Sequence, residues 1–140
     1  GATPAGVALL PYVRDMPAFF GSIDCLLVPS LNSTESFGLV QVEAMLCGTP
    51  VVSSNLPGVR QPVRMTGMGE VIPIGDSAAM AEAVTRILSD KARYVRPRRE
   101  IAAMFDLNRT VDRYEDVFDA EVGRVTQRLV LPRHERRANR

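Results

Sequence analysis

The sequence predicts an α/β fold, a parallel sheet flanked by helices, and three observations predict it. Short apolar runs of strand length alternate with helical patterns along most of the chain, the order that βα units give. Two of these runs, Asp24-Cys-Leu-Leu-Val-Pro29 and Pro50-Val-Val-Ser-Ser54, are nearly all apolar instead of alternating, as expected of strands covered on both faces. The chain has 140 residues, 46% of them hydrophobic and 24% charged, which is enough for one domain with a real core.

The elements follow in order. Val7 to Leu10 is a first candidate strand. Asp15 opens a short helix through Met-Pro-Ala-Phe-Phe-Gly-Ser-Ile, with the aspartate as its cap, and Asp24 to Pro29 is a buried strand. A polar loop from Ser30 to Ser36 leads into a helix over Leu39–Leu46, which Gly48 closes in a left-handed conformation before the strand at Pro50–Ser54. Asn55-Leu-Pro-Gly-Val-Arg is a loop that starts a short helix through Val63, and Gly69-Glu-Val-Ile-Pro-Ile74 is the next strand. Gly75-Asp76-Ser77 caps a long amphipathic helix with Met80, Ala83, Val84, Ile87 and Leu88 on one face. Asp76 is therefore a cap and not a catalytic acid. Two helical segments follow, about Lys91 to Phe105 and about Arg109 to Leu129, and the basic tail from Pro132 to Arg140 is expected to fray. Phe19, Phe20, Phe105, Tyr114 and Phe118 fall at helical spacings and are assigned to the core.

Composition excludes several functions. With 17 basic and 16 acidic residues the formal net charge is +1, so no nucleic-acid partner is expected and any anion site must be local. Cys25 and Cys47 lack the paired spacing of a zinc or redox motif and read as buried, reduced thiols, which suits the cytoplasm. No apolar run approaches the roughly 20 residues a membrane helix requires, and the start lacks a signal-peptide pattern. The only histidine, His134, lies in the tail, which leaves no His-based triad and no metal site. Arg93, Arg96, Arg98 and Arg99 around Pro97 read as a solvated helix junction, with contact to an acidic membrane surface or a partner domain as the alternative.

The chemistry concentrates in Glu35-Ser-Phe-Gly-Leu-Val-Gln-Val-Glu43. A helix that starts near Gly38 leaves its first amides without intrahelical acceptors and puts the positive end of its dipole there, so Gly38, Leu39 and Val40 form a backbone anion site of the kind that binds phosphate. Glu43 lies about one and a half turns inside the helix, roughly 7 Å along its axis, and Glu35 precedes it on the loop. The anion site separates the two carboxylates, which argues against an acid/base dyad sharing a proton and for two acceptors that hold hydroxyls on either side of a diphosphate. The segment follows the carboxyl end of a buried strand, the edge at which open parallel sheets bind ligands.

These residues carry a family resemblance. Val28-Pro29-Ser30, Glu35-Ser-Phe-Gly-Leu39, Glu43-Ala44-Met45, Gly48-Thr-Pro-Val-Val52-Ser53 and Gly58, in that order, resemble the donor-binding region of retaining GT-B glycosyltransferases of the group 1, or family four, type. The likeness continues more loosely through Gly69 to Asp76 and covers about residues 7 to 120. It implies a Rossmann-like parallel sheet forming the later part of a C-terminal donor domain over residues 1–128, with 129–140 as the tail.

The resemblance also implies roles. Glu35 is the catalytic-site carboxylate that accepts hydrogen bonds from donor-sugar hydroxyls. Ser36, Phe37 and Gly38 lie against the sugar, the amides of Leu39 and Val40 meet the diphosphate, and Glu43 holds the ribose hydroxyls. The donor is a UDP-, GDP- or ADP-sugar, transfer retains anomeric configuration, and no cofactor or metal is required. Such enzymes have an N-terminal acceptor domain and an Arg/Lys pair that neutralises the diphosphate. Neither is found here, and Arg14 is the only basic residue before Glu35. The opening Gly1-Ala2-Thr3-Pro4 reads as a junction, and the chain is expected to be an excised donor-binding part, inactive alone. An uncovered sheet edge then predicts a homodimer or higher species. The alternatives are a non-catalytic nucleotide-sugar-binding or assembly module and, less favoured, a piece of a GT-B nucleotide-sugar epimerase.

Overall fold

The computed structural model describes residues 4–130, and the chain divides into two compact units, Gly1–Met104 and Phe105–Arg140. The first unit is built on three parallel strands, β1 (Leu26–Val28), β2 (Val51–Ser54) and β3 (Gly69–Ile72), in the spatial order β1-β2-β3. Leu27 pairs with Val52 and Ser54 with Ile72. Between and after the strands come α1 (Met16–Ser22), α2 (Leu39–Leu46), α3 (Gln61–Thr66), α4 (Ser77–Ser89), α5 (Lys91–Tyr94) and α6 (Arg98–Met104).

Strand alternation sends Val52 and Ile72 to one face of the sheet. There they pack with Ala83 and Ile87 of α4, and Cys25, Met80, Val84 and Tyr94 border the cluster. Val51 and Ser53 point to the other face, where α2 and α3 pack against the strands and α1 and α6 pack on α2. All four residues of β2 are buried, so the central strand is covered on both sides as its composition predicts. Among the described residues β1 has a strand on one side only, and Leu27 remains 43% exposed.

Several expectations need correction. Val7 to Leu10 forms no strand, and Val7, Leu9 and Leu10 are exposed; an apolar run becomes a strand only where another strand accepts its hydrogen bonds, and among the described residues none does. The segment from Lys91 to Phe105 is not one helix. Pro97 has no amide to continue it, and α6 restarts with the amides of Glu100 and Ile101 donating to the Pro97 carbonyl. The helix after Arg60 runs on to Thr66, whose hydroxyl donates to the Pro62 carbonyl and accepts from the Met68 amide. On α4 the buried stripe narrows to Ala83 and Ile87, while Leu88 is exposed. The capping aspartates Asp15 and Asp76 accept from Ala18 and Ala79 as their positions predict, and Gly48 is left-handed, at φ 81°.

The sheet face under α4 also carries a polar cluster. The Glu70 carboxylate on β3 accepts from Arg86 at 2.7 Å and from the Tyr94 hydroxyl at 2.6 Å. The Arg86 hydrogen bonds hold the Glu70 carboxyl below its usual range, and Glu70 in turn pushes the Tyr94 phenol up. Cys25, half-buried at the edge of the same core, has its thiol pushed up to about 11 by burial, so it stays protonated near neutrality. Cys47 is likewise a free, half-buried cysteine.

The second unit contains α7 (Leu107–Val130). Tyr114 and Phe118 stack at 6.3 Å between centroids, yet both are exposed, together with Val111, Val117 and Val122. Their assignment to the core is therefore corrected, whereas Phe20 is fully buried and Phe19 and Phe105 are half-buried. His134 and the tail from Pro132 to Arg140 lie outside the described residues.

Candidate functional site

The site is built where two βα connections leave the carboxyl ends of β1 and β2. The first is the Ser30 to Ser36 loop, in which the Asn32 side chain accepts from both the backbone amide and the hydroxyl of Thr34, an Asx turn. It delivers Glu35 and Ser36, both exposed, and then Phe37, half-buried. Gly38 follows at φ 76°, ψ 66° as the N-cap of α2, with no side-chain cap.

Helix α2 then begins at Leu39. The Gln41 amide donates to the Gly38 carbonyl at 2.9 Å, and the amides of Leu39 and Val40 precede the first intrahelical bond, which leaves them to whatever lies beyond the helix end. Glu43 is exposed one turn further along, on a helix whose Gln41, Val42, Ala44 and Met45 are buried. Glu35 and Glu43 are thus both exposed, one on the loop before the helix start and the other within α2.

The second connection is Asn55 to Arg60. Its turn is closed by the Arg60 amide on the Leu56 carbonyl and the Gln61 amide on the Gly58 carbonyl. Gly58 touches the first loop: a Cβ at this position would lie 1.5 Å from the Ser36 carbonyl oxygen, so only glycine permits the approach. Gly38 is required on two counts. Its φ is left-handed, and a Cβ there would lie 2.7 Å from Nε2 of Gln41.

Two further residues join the site that sequence reasoning missed. Gln41 is fully buried beneath both loops, and its Nε2 donates to the carbonyls of Phe37 and Val59. A polar residue among apolar helix positions was the available signal. Arg60 closes the second loop, with Nη1 donating to Oδ1 of Asn55 at 3.0 Å. The buried side-chain atoms without a hydrogen-bond partner among the described residues are Oε1 of Gln41, Oγ of Ser53 and Ser54, and Nε of Arg60, and all lie in or beside these two connections.

A hollow of about 310 Å³ opens at the same sheet edge, lined by Pro29, Leu31, Ser54, Ile72, Asp76 and Met80 among others. No residue from Glu35 to Glu43 lines it. The start of α2 is thus not part of the hollow. Among the described residues, no three His, Cys, Asp or Glu side chains converge as a metal-ligand set, and no helix is long and apolar enough to cross a membrane.

Residues 3–104 match the family described as glycosyl transferases group 1. The chain is 37% identical over 118 residues to a D-inositol 3-phosphate glycosyltransferase of Salinispora tropica, a match that covers 82% of this chain and 24% of that protein. It is 41% identical over 88 residues to a phosphatidyl-myo-inositol mannosyltransferase of Mycobacterium leprae, covering 61% of this chain and 23% of the relative. Among solved structures, sucrose-phosphate synthase from Thermosynechococcus elongatus superposes with a TM-score of 0.59 at 33% identity, over 73% of this chain and 27% of that one. The chain therefore spans about a quarter of the length of the relatives it matches, and its α/β fold is that of part of the C-terminal domain of the GT-B architecture.

Proposed function

The chain belongs to the group 1 glycosyltransferase family, and from that premise we propose that it supplies the donor-binding part of an enzyme that transfers a hexose from a nucleoside-diphosphate sugar to a glycan or lipid-linked acceptor, with retention of configuration. One observation carries the reading: α2 starts on a left-handed glycine, without a side-chain cap, between two exposed carboxylates at the carboxyl end of β1.

In this reading the amides of Gly38, Leu39 and Val40 and the α2 dipole hold the diphosphate, Glu35 holds donor-sugar hydroxyls beside Ser36 and Phe37, and Glu43 accepts from the ribose hydroxyls. The bond from the anomeric carbon to the diphosphate oxygen breaks, and the acceptor hydroxyl oxygen bonds to that carbon from the same face. The acceptor proton passes to the departing diphosphate, whose growing negative charge the helix terminus stabilises. The reading calls for no metal, because preorganised amides and basic side chains take the role of a Lewis acid.

The relatives named for inositol-containing acceptors support an acceptor of the polyol or lipid-linked class. The chain alone binds donor and does not turn it over, since the acceptor domain and the leaving-group cations belong to the rest of such an enzyme, which works in the cytoplasm and at most peripherally on the membrane. Isolated, the open edge of β1 and the exposed Val7, Leu9, Leu10 and Tyr12 drive self-association.

Calorimetric titration with UDP-, GDP- and ADP-sugars tests the donor site. Binding of at least one is expected, with Glu43→Ala weakening nucleotide and nucleotide-sugar alike by about tenfold, roughly one charge-assisted hydrogen bond, and Glu35→Ala weakening only the nucleotide-sugar. A folded sample that gives no heat with any of them overturns the reading.

A further inference from the structure

We propose that Gln41 is the positioning residue of the donor site, a role that rests on the donor-binding reading above. Gln41 is 0% exposed and cannot reach a ligand itself, yet it fixes the groups that do. Its Nε2 donates to the Phe37 carbonyl at 3.1 Å and its own backbone amide donates to the Gly38 carbonyl at 2.9 Å. Because a peptide unit is planar, pinning the Phe37 carbonyl sets the direction of the Gly38 N–H, and pinning the Gly38 carbonyl sets that of the Leu39 N–H. The side chain thus aims the Gly38 amide, and the backbone amide of the same residue aims the next one.

The same Nε2 donates to the Val59 carbonyl at 2.9 Å, where the second loop presses Gly58 onto the Ser36 carbonyl. The side chain thus ties the two loops together, through Phe37 on one and through Val59, 18 residues from Gln41 in sequence, on the other. Its orientation is unambiguous, since both partners are carbonyl oxygens and only the amide NH2 can face them. Oε1 is left buried without a partner, an arrangement that costs stability. An apolar residue would avoid that cost and would leave both carbonyls unpinned.

The experiment uses the full chain with UDP-glucose, GDP-mannose and ADP-glucose as calorimetric probes and thermal unfolding as the check of folding. Gln41→Met removes both side-chain bonds at similar volume and is expected to lose about tenfold in affinity for whichever probe the wild type binds. Gln41→Glu supplies a readout that packing alone does not move. Its neutral acid donates one of the two hydrogen bonds, whereas its carboxylate donates none and faces two carbonyl oxygens. Affinity of Gln41→Glu is therefore expected to rise as pH falls from about 8 to about 5, while the wild type stays level, because the diphosphate of a nucleotide-sugar keeps its charge over that range and burial raises a carboxyl pKa into it.

Unchanged affinity in folded Gln41→Met, or a Gln41→Glu profile parallel to the wild type, overturns the positioning role and leaves the donor site standing. Should Gln41→Met not fold, the Gln41→Glu profile decides alone. Failure of the wild type to bind any probe overturns the donor reading and this inference with it.

Discussion

Helices α2 and α4 both follow the carboxyl end of a strand and both pack on the sheet, but their first turns are finished differently. At α4 the Asp76 carboxylate accepts the Ala79 amide at 2.8 Å, and the Asp76 carbonyl takes the Met80 amide. That terminus is closed by its own side chain and its dipole is already matched by a negative charge. At α2 the N-cap is Gly38, which brings no acceptor, and the neighbouring carboxylates Glu35 and Glu43 are displaced to either side. The two caps differ in backbone as well as side chain, for Asp76 is extended at φ −86°, ψ 93° whereas Gly38 is left-handed at φ 76°, ψ 66°. One terminus is closed by its own side chain in an extended cap, and the other is left without a side-chain cap on a left-handed glycine supported by the buried Gln41.

Three substitutions bear on this contrast, in order of expected size. Gly58→Val should have the largest effect: its Cβ would overlap the Ser36 carbonyl, which is backbone and cannot yield cheaply, so about 3 kcal/mol of stability and all measurable nucleotide binding should be lost. A denaturant midpoint like that of the wild type would show that the two loops are not locked together. Gly38→Asp puts a carboxylate at the start of α2, on a left-handed backbone position where its Cβ also crowds Nε2 of Gln41. Placing a carboxylate at the helix terminus should reduce nucleotide affinity by about tenfold or more, and retained affinity by titration would break the distinction between an open and a closed terminus. Asp76→Ala should be the smallest, lowering stability by about 1 kcal/mol through the lost cap while nucleotide affinity stays level; an equal loss of binding would mean that α4 belongs to the site.

The part of this contrast that was legible in the sequence is the part written in local pattern. Asp76 before an amphipathic run and a glycine before Leu39 are both visible in a window of a few residues, and β2 and β3 follow from apolar runs bounded by turn residues. The candidate site was assigned on the same kind of pattern, because Glu35, Gly38 and Glu43 are placed relative to one helix start. What could not be read is whatever depends on approach between distant segments. The contact of Gly58 with Ser36 and the bond from Gln41 to Val59 have no period and no neighbouring signal. The apolar run at Val7 to Leu10 was misread for the converse reason, since its pattern is that of a strand but no partner strand receives it. Pro97, by contrast, stood in plain view as a helix break. Tyr114 and Phe118 had the spacing of a buried stripe, but spacing defines a face without saying what covers it.

The meeting of Gly58 with the Ser36 carbonyl has a consequence for the order in which the protein assembles. The loop after β1 and the loop after β2 cannot take their final shapes independently, so the proposed anion site is expected to be completed only when both βα units have docked, after contacts more local in sequence have formed. A bound nucleotide-sugar would then act as a clasp across that late junction. At a concentration a hundred times its dissociation constant it should raise the unfolding free energy by about 2.7 kcal/mol, and most of that gain should appear as slower unfolding if the junction forms after the folding transition state.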